Sequence, residues 1–343
     1  MHSDGTLPIR SLPYGSAVYG DLPVGCSLCH RGSKMVLFVT GRCPLNCFYC
    51  PLSPGKRGKD LMYANERQVS SLNDIIEEAE LMDAEGTGIT GGEPLLVLER
   101  VLEIIRTLKA RMGGSHHIHL YTCGEPFSLT AIKRLEEAGL DEIRFHTLKL
   151  RDLLKVELVL KETELDVGLE VPALPKEEGN LIKLVERLEQ MGAHFININE
   201  LEFSEGNYMQ LLERGFRLRK GSQVAAMWSK ETALSVLAEV ARRHLTINAH
   251  YCSAQAKDRL QTSLRLYRRG LNTARPHELV EDEGLIIKLK VEGALPAIFS
   301  EVYGHAGEAH LDTLKRLKRA GVKLKLVEEL PVEPRLLISE ESL

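Results

Sequence analysis

The chain has 343 residues and a formal charge of −4, with 43% hydrophobic and 27% charged residues. At roughly 150 residues per domain this predicts about two domains, apolar enough to bury a substantial core and without the global positive field that draws in nucleic acid. Pro8, Arg10 and Pro13 interrupt the apolar stretch a secretory signal needs, and no run reaches the roughly 18 apolar residues of a membrane span. The expectation is a cytoplasmic protein without membrane contact, whose seven cysteines stay reduced and serve as metal ligands or small buried hydrophobes.

Residues 1–35 are rich in Gly, Pro and Ser and carry Cys26 and Cys29; they read as an irregular segment packed on the body. From residue 36 short β-branched runs alternate with helix-periodic segments. Strands are predicted at 35–40, 87–90, 118–122, 142–146, 167–171 and 195–199, and helices at 71–85, 96–112, 128–138 and 176–191. Gly113, Gly139 and Gly192 stand where those last three helices stop, as an αL cap requires. Six βα units predict an α/β fold, a partial (βα)6 barrel over 36–250. Helices at 232–243 and 256–269, strands at 285–291 and 322–327, and a helix at 308–320 follow. Residues 251–343 form a small α+β C-terminal extension.

Chemistry concentrates after the first strand. Cys43, Cys47 and Cys50 stand in CxxxCxxC order, in a loop at the C-terminal end of a parallel strand, where α/β proteins place active sites. Three thiolates at this spacing wrap a corner of a four-iron cube and leave one iron open. A structural zinc is the alternative, but a closed site needs a fourth ligand, for which His30 is the candidate, and it leaves Gly91-Gly92-Glu93-Pro94 after the second strand unexplained.

Strand alternation puts Ile118 and Leu120 opposite His117, His119 and Tyr121, Ile143 and Phe145 opposite Arg144 and His146, Val167, Leu169 and Val171 opposite Gly168 and Glu170, and Ile196 and Ile198 opposite Asn197 and Asn199. The polar set predicts a barrel interior that holds a polar ligand, with Arg144, His146, Glu170 and Asn199 as the candidate contacts.

Cys26, Cys29 and Cys252 remain once the loop has taken three cysteines. With His30 or His250 as a fourth ligand they have the composition of a second metal site, zinc or iron–sulfur. Cys123 stands alone at a strand tip and reads as a packed cysteine. Basic runs at 214–220 and 257–269 read either as solvated faces or as a clamp for an anionic substrate.

Cys43, Cys47 and Cys50, aromatic Tyr49 before the last of them, and Gly91-Gly92-Glu93 together resemble the radical S-adenosylmethionine (SAM) superfamily over about residues 36–205. Segments 34–41, 63–66, 88–94, 117–122 and 199–202 further resemble an uncharacterised archaeal family related to pyruvate formate-lyase activating enzymes. The resemblance implies a [4Fe-4S] cluster on the three cysteines and a SAM amine at Gly91, Gly92 and Glu93. It further implies reductive cleavage of SAM to a 5′-deoxyadenosyl radical that abstracts a substrate hydrogen. An electron donor such as ferredoxin or flavodoxin is expected, and the substrate is left open among a partner protein, a nucleic acid and a small metabolite. The competing reading is a non-catalytic metal-binding or scaffold protein.

Overall fold

A computed structural model describes residues 8–292 and 307–343. Its centre is an 11-stranded sheet in which seven strands run parallel: β3 (Lys34–Phe38), β6 (Gly86–Thr90), β7 (His117–Thr122), β8 (Glu142–Phe145), β9 (Asp166–Ala173), β10 (Phe195–Glu200) and β11 (Asn248–Cys252), neighbours in that order. The hairpin β4 (Met62–Ala64) and β5 (Arg67–Val69) adds to the β3 edge, and β1 (Arg10–Ser11) and β2 (Ala17–Tyr19) add to the β11 edge. The six predicted strands are all present. The seventh, β11, lies beyond them because its five residues are short and mixed in polarity; its parallel register with β10 aligns Asn197 with His250 and Asn199 with Cys252.

Helices α2 (Leu72–Leu81), α3 (Leu98–Met112), α4 (Leu129–Ala138), α5 (Leu153–Glu162), α6 (Glu178–Met191) and α8 (Ser229–Arg242) cover the outer face, and α7 (Tyr208–Glu213) lies in the long loop after β10. Ser71 and Asp74 close a capping box at the start of α2. The apolar strand residues, among them Ile89, Ile118, Leu120, Ile143, Val167, Leu169, Ile196 and Ile198, are fully buried against Leu102, Ile105, Leu135, Val156, Leu184 and Leu237 of the helices. At about 25 cal/mol per Å² of apolar surface removed from water, this layer is the main stabilising term of the fold. It leaves the polar strand residues facing the barrel interior.

Residues 1–35 are not irregular throughout, as the sequence suggested. Besides β1 and β2 they form α1 (Val24–His30). Seven residues with Gly25 and two cysteines make a poor isolated helix, and packing supplies the reason it forms. It lies across β3, β6 and β7 at one end of the barrel, and Gly25 permits the approach: a Cβ there would sit 2.6 Å from the His119 ring and 2.7 Å from the Arg144 guanidinium.

After β11 a helical run passes from α9 (Ala254–Ala256) through a π-helical turn at Lys257–Thr262 into α10 (Ser263–Thr273). A second, antiparallel sheet holds β12 (Leu279–Val280), β13 (Ile286–Glu292), β14 (Glu308–Ala309), β15 (Lys323–Leu330) and β16 (Leu336–Ser342). The helix predicted at 308–320 is shorter, α11 (Leu314–Arg319), because Glu308 and Ala309 pair with β13 and the His310 ring caps the following turn. Strand β16 was not foreseen; it is an exposed edge without an alternating pattern. No helix among the described residues is long and apolar enough to cross a membrane.

Candidate active site

The loops after β3 and β6 are held as one unit. Gly92 N donates to Thr40 O (2.6 Å) and Glu93 N to Arg42 O (2.7 Å). A Cβ at Gly92 would lie 2.1 Å from Arg42 O, so only glycine allows this contact. The cysteine loop is braced from the far side by Asn207, whose Nδ2 donates to Tyr49 O (3.0 Å) and Glu202 O (2.9 Å), and by Arg57, which reaches Cys50 O (3.4 Å). Phe48 stacks on Phe216 at a centroid distance of 5.9 Å.

Cys43, Cys47, Cys50, Tyr49, Gly91 and Gly92 border one cavity of about 590 Å³, and His146, Glu170 and Asn199 line it too. The Nδ1–H of His146 donates to Glu170 O (2.8 Å), so its Nε2 accepts from the Tyr49 hydroxyl (3.2 Å); burial holds this imidazole below its usual pKa and therefore neutral. Glu170 is opposed by burial, but Arg144 (2.8 Å) and the Asn199 amide (2.9 Å) outweigh it and hold the carboxylate down to about 2. The thiol of Cys43 is lowered to about 7, first by a hydrogen bond from Cys123.

Three expectations change here. The Glu93 side chain does not face the cavity to meet an amine. Fully buried, its carboxylate accepts from Leu95 N (2.9 Å), Thr122 Oγ1 (2.8 Å) and Cys123 N (2.7 Å), tying the glycine loop to the end of β7. Arg144 does not line the large cavity either. It is 1% exposed, paired with Glu142 and Glu170, and borders a smaller cavity of about 170 Å³ deeper in the barrel. Cys123, expected to be packed, faces the large cavity beside Cys43.

The smaller cavity brings together Cys26, Cys29, His250 and Cys252; His30 does not line it, but its ring meets His250 edge-on at 5.7 Å. Lys34, Tyr121, Glu170, Asn199 and Lys257 border both cavities. Lys34 and Glu142 were missed from sequence: both open their strands, where a charge reads as a surface residue, and the parity of Glu142 with Arg144 was the available signal. Most of the basic run at 257–269, and Arg219 of the run at 214–220, are engaged in ion pairs. Arg219 pairs with Glu200, Lys257 with Glu202, Arg265 with Glu66, Arg268 with Asp83 and Arg269 with Glu78.

A partial parallel barrel with three free thiols on the loop after its first parallel strand, beside a glycine cradle and over a polar interior, defines a cluster-dependent barrel enzyme. The sequence profile of the radical SAM superfamily matches residues 37–163. A curated relative, the putative glycyl-radical enzyme activating enzyme MJ0021 of Methanocaldococcus jannaschii, is 42% identical over 281 residues, covering 79% of this chain and 73% of that protein. The chain belongs to the radical SAM superfamily.

Among solved structures, SuiB of Streptococcus suis bound to precursor peptide SuiA is similar at a TM-score of 0.47 and 12% identity, covering 64% of this chain and 48% of SuiB, so the chain spans about half of that protein. Coproporphyrinogen III oxidase (HemN) of Escherichia coli is similar at a TM-score of 0.39 and 9% identity, covering 94% and 76%.

The protein is therefore an enzyme, not a scaffold. Its [4Fe-4S] cluster, when bound, supplies one electron to SAM, whose reductive cleavage yields the 5′-deoxyadenosyl radical that abstracts a substrate hydrogen. The free thiols and the glycine cradle fit these groups.

Proposed function

We propose that Cys43, Cys47 and Cys50 hold the cluster, and that SAM fills the large cavity with its amine against the backbone of Gly91 and Gly92. The observation that carries this is the shared cavity itself, which the three cysteines, both glycines, Tyr49, His146, Glu170 and Asn199 all border. Neutral His146 and the Tyr49 hydroxyl present a fixed polar edge to the nucleoside. Glu93 acts indirectly, keeping Thr122 and Cys123 in register with the glycines. Ferredoxin or flavodoxin is the proposed one-electron donor, in a cytoplasmic setting.

For the hydrogen donor we propose a glycyl residue of a partner protein, a reading supported by the description of the relative MJ0021 as a glycyl-radical enzyme activating enzyme. The test is anaerobic turnover in native extract from cells grown on α-deuterated glycine. Deuterium in 5′-deoxyadenosine supports the glycyl reading; unlabelled product formed at an undiminished rate contradicts it. A second reading, a small polar metabolite, is favoured by the charged floor of the cavity, where Lys257 and Glu202 pair beside Asn199. It predicts that a protein-free, low-molecular-mass fraction of the extract stimulates 5′-deoxyadenosine formation.

A further inference from the structure

The smaller cavity is walled by groups that the chemistry of the larger one does not use. Cys26 and Cys29 reach it from α1, and His250 and Cys252 from β11. Cys26 and Cys29 lie three apart on a helix, on one face. His250 and Cys252 lie two apart on a strand and so also share a face. The four donors come from two elements far apart in sequence, which the pairing of β11 with β10 and the packing of α1 across the barrel end bring to one place.

Four observations point to a ligand there. All seven cysteines are free, so the sulfurs are not consumed by a disulfide. N–H groups are aimed at two of them: Arg144 Nη1 (3.4 Å) and Asn197 Nδ2 (3.3 Å) donate to Cys26 Sγ, and Gln261 Nε2 (3.5 Å) donates to Cys252 Sγ. Such donors suit ligating thiolates, whose hydrogen bonds tune a bound cluster. His250 is 1% exposed, and neither of its ring nitrogens has a hydrogen-bond partner among the described residues; a buried imidazole left so is costly unless something else binds it. Lys34 borders the same cavity, is buried, and has no carboxylate within ion-pair distance among the described residues. A buried ammonium calls for negative charge, and ligating thiolates supply it.

The spacing is not that of a single bound zinc. One zinc with sulfurs at about 2.3 Å would draw three thiolates to about 3.8 Å from one another. Among the described residues, Cys26, Cys29 and Cys252 are not among the groups whose ligand atoms all fall within 4.8 Å of each other, and neither are Cys43, Cys47 and Cys50. The two cysteine sets are alike in this respect, as two polynuclear sites would be.

We propose that Cys26, Cys29 and Cys252, with His250 as fourth ligand, hold a second iron–sulfur cluster at the inner end of the barrel. The site closes on four protein ligands, unlike the open first cluster. It shares Lys34, Glu170 and Lys257 with the SAM cavity, so its charge is felt on the substrate side. It also links α1 to β11, adding to the pairing of β2 with β11 and the packing of α1 that already join the N-terminal segment to the barrel.

The test is iron and sulfide analysis after anaerobic reconstitution with ferrous iron and sulfide. The intact chain is expected to hold about eight of each, and Cys43→Ala/Cys47→Ala/Cys50→Ala about four of each, with its absorbance near 400 nm halved rather than lost. These three positions lie on an exposed or half-exposed loop, so the variant keeps its core. As a second measurement, the reduced intact protein is expected to show two EPR signals, only one of which shifts on adding SAM, and His250→Gln is expected to alter only the other. A triple variant without iron, a triple variant holding one zinc and no sulfide, or an intact chain that saturates at about four iron would each overturn the proposal. Failure of the SAM-cluster assignment reads differently: the triple variant would then keep the SAM-sensitive signal.

Discussion

Gly92 has no room for a side chain, because any Cβ would meet the Arg42 carbonyl at 2.1 Å. Gly92→Ala is therefore expected to push the cysteine and glycine loops apart and weaken SAM binding about tenfold or more, about 1.4 kcal/mol. EPR titration of the reduced cluster with SAM measures this, and an unchanged dissociation constant would remove the assigned role. His116 gives a pH dependence independent of the site. It bonds Thr87 Oγ1 at 2.8 Å, and burial lowers its pKa to about 4. Since the unfolded value is about 6.5, the unfolded chain binds the proton first as pH falls. Stability present above pH 6.5 is lost towards pH 4, by about 2 kcal/mol between pH 7 and pH 5. Urea unfolding of the intact chain and His116→Gln at both pH values checks this: the variant should lose that much less. At this scale Cys43, Cys47, Cys50, Gly91 and Gly92 were legible because motif and strand position coincide. The task of Glu93 was not, since its three donors come from its own turn and from the end of β7.

Among the elements, the long loop after β10 matters as a brace. Asn207, 1% exposed, holds Tyr49 O and Glu202 O through Nδ2 and accepts from Ser204 N (2.8 Å) through Oδ1. Asn207→Ala leaves those groups unpaired at a cost of about 1–3 kcal/mol and should free the cysteine loop. The expected outcome is several-fold faster loss of iron to a chelator, with the melting temperature lowered by a few degrees; retention equal to that of the intact chain would show the brace is idle. Central strands with strict alternation, such as 118–122 and 195–199, declared both their position and their inward faces in the sequence. Strands β2 and β11 did not, because three and five residues carry too little pattern. Helix α1 was hidden for a related reason: its stability comes from packing on the barrel end and not from its own residues.

Across the whole molecule, the C-terminal elements are tied to the barrel by buried charge. Arg269 of α10 meets Glu78 of α2 at 3.0 Å, at 4% and 1% side-chain exposure, and Asn65 Nδ2 donates to the same carboxylate at 3.0 Å. Arg269→Ala strands a buried carboxylate, so a loss of about 3–5 kcal/mol is expected in denaturant unfolding; a loss below about 1 kcal/mol would contradict the tie. No sequence pattern links residues 78 and 269, since only the folded chain brings them together. The central claim is that a cluster on Cys43, Cys47 and Cys50 drives SAM cleavage in the cavity they border. The most direct measurement is anaerobic incubation of the reconstituted chain with dithionite and SAM, with 5′-deoxyadenosine and methionine quantified against Cys43→Ala/Cys47→Ala/Cys50→Ala. Equal amounts of both products from the intact chain and none from the variant is the predicted result. Product from the variant at the intact rate, or none from a chain carrying its full iron and sulfide, would contradict it.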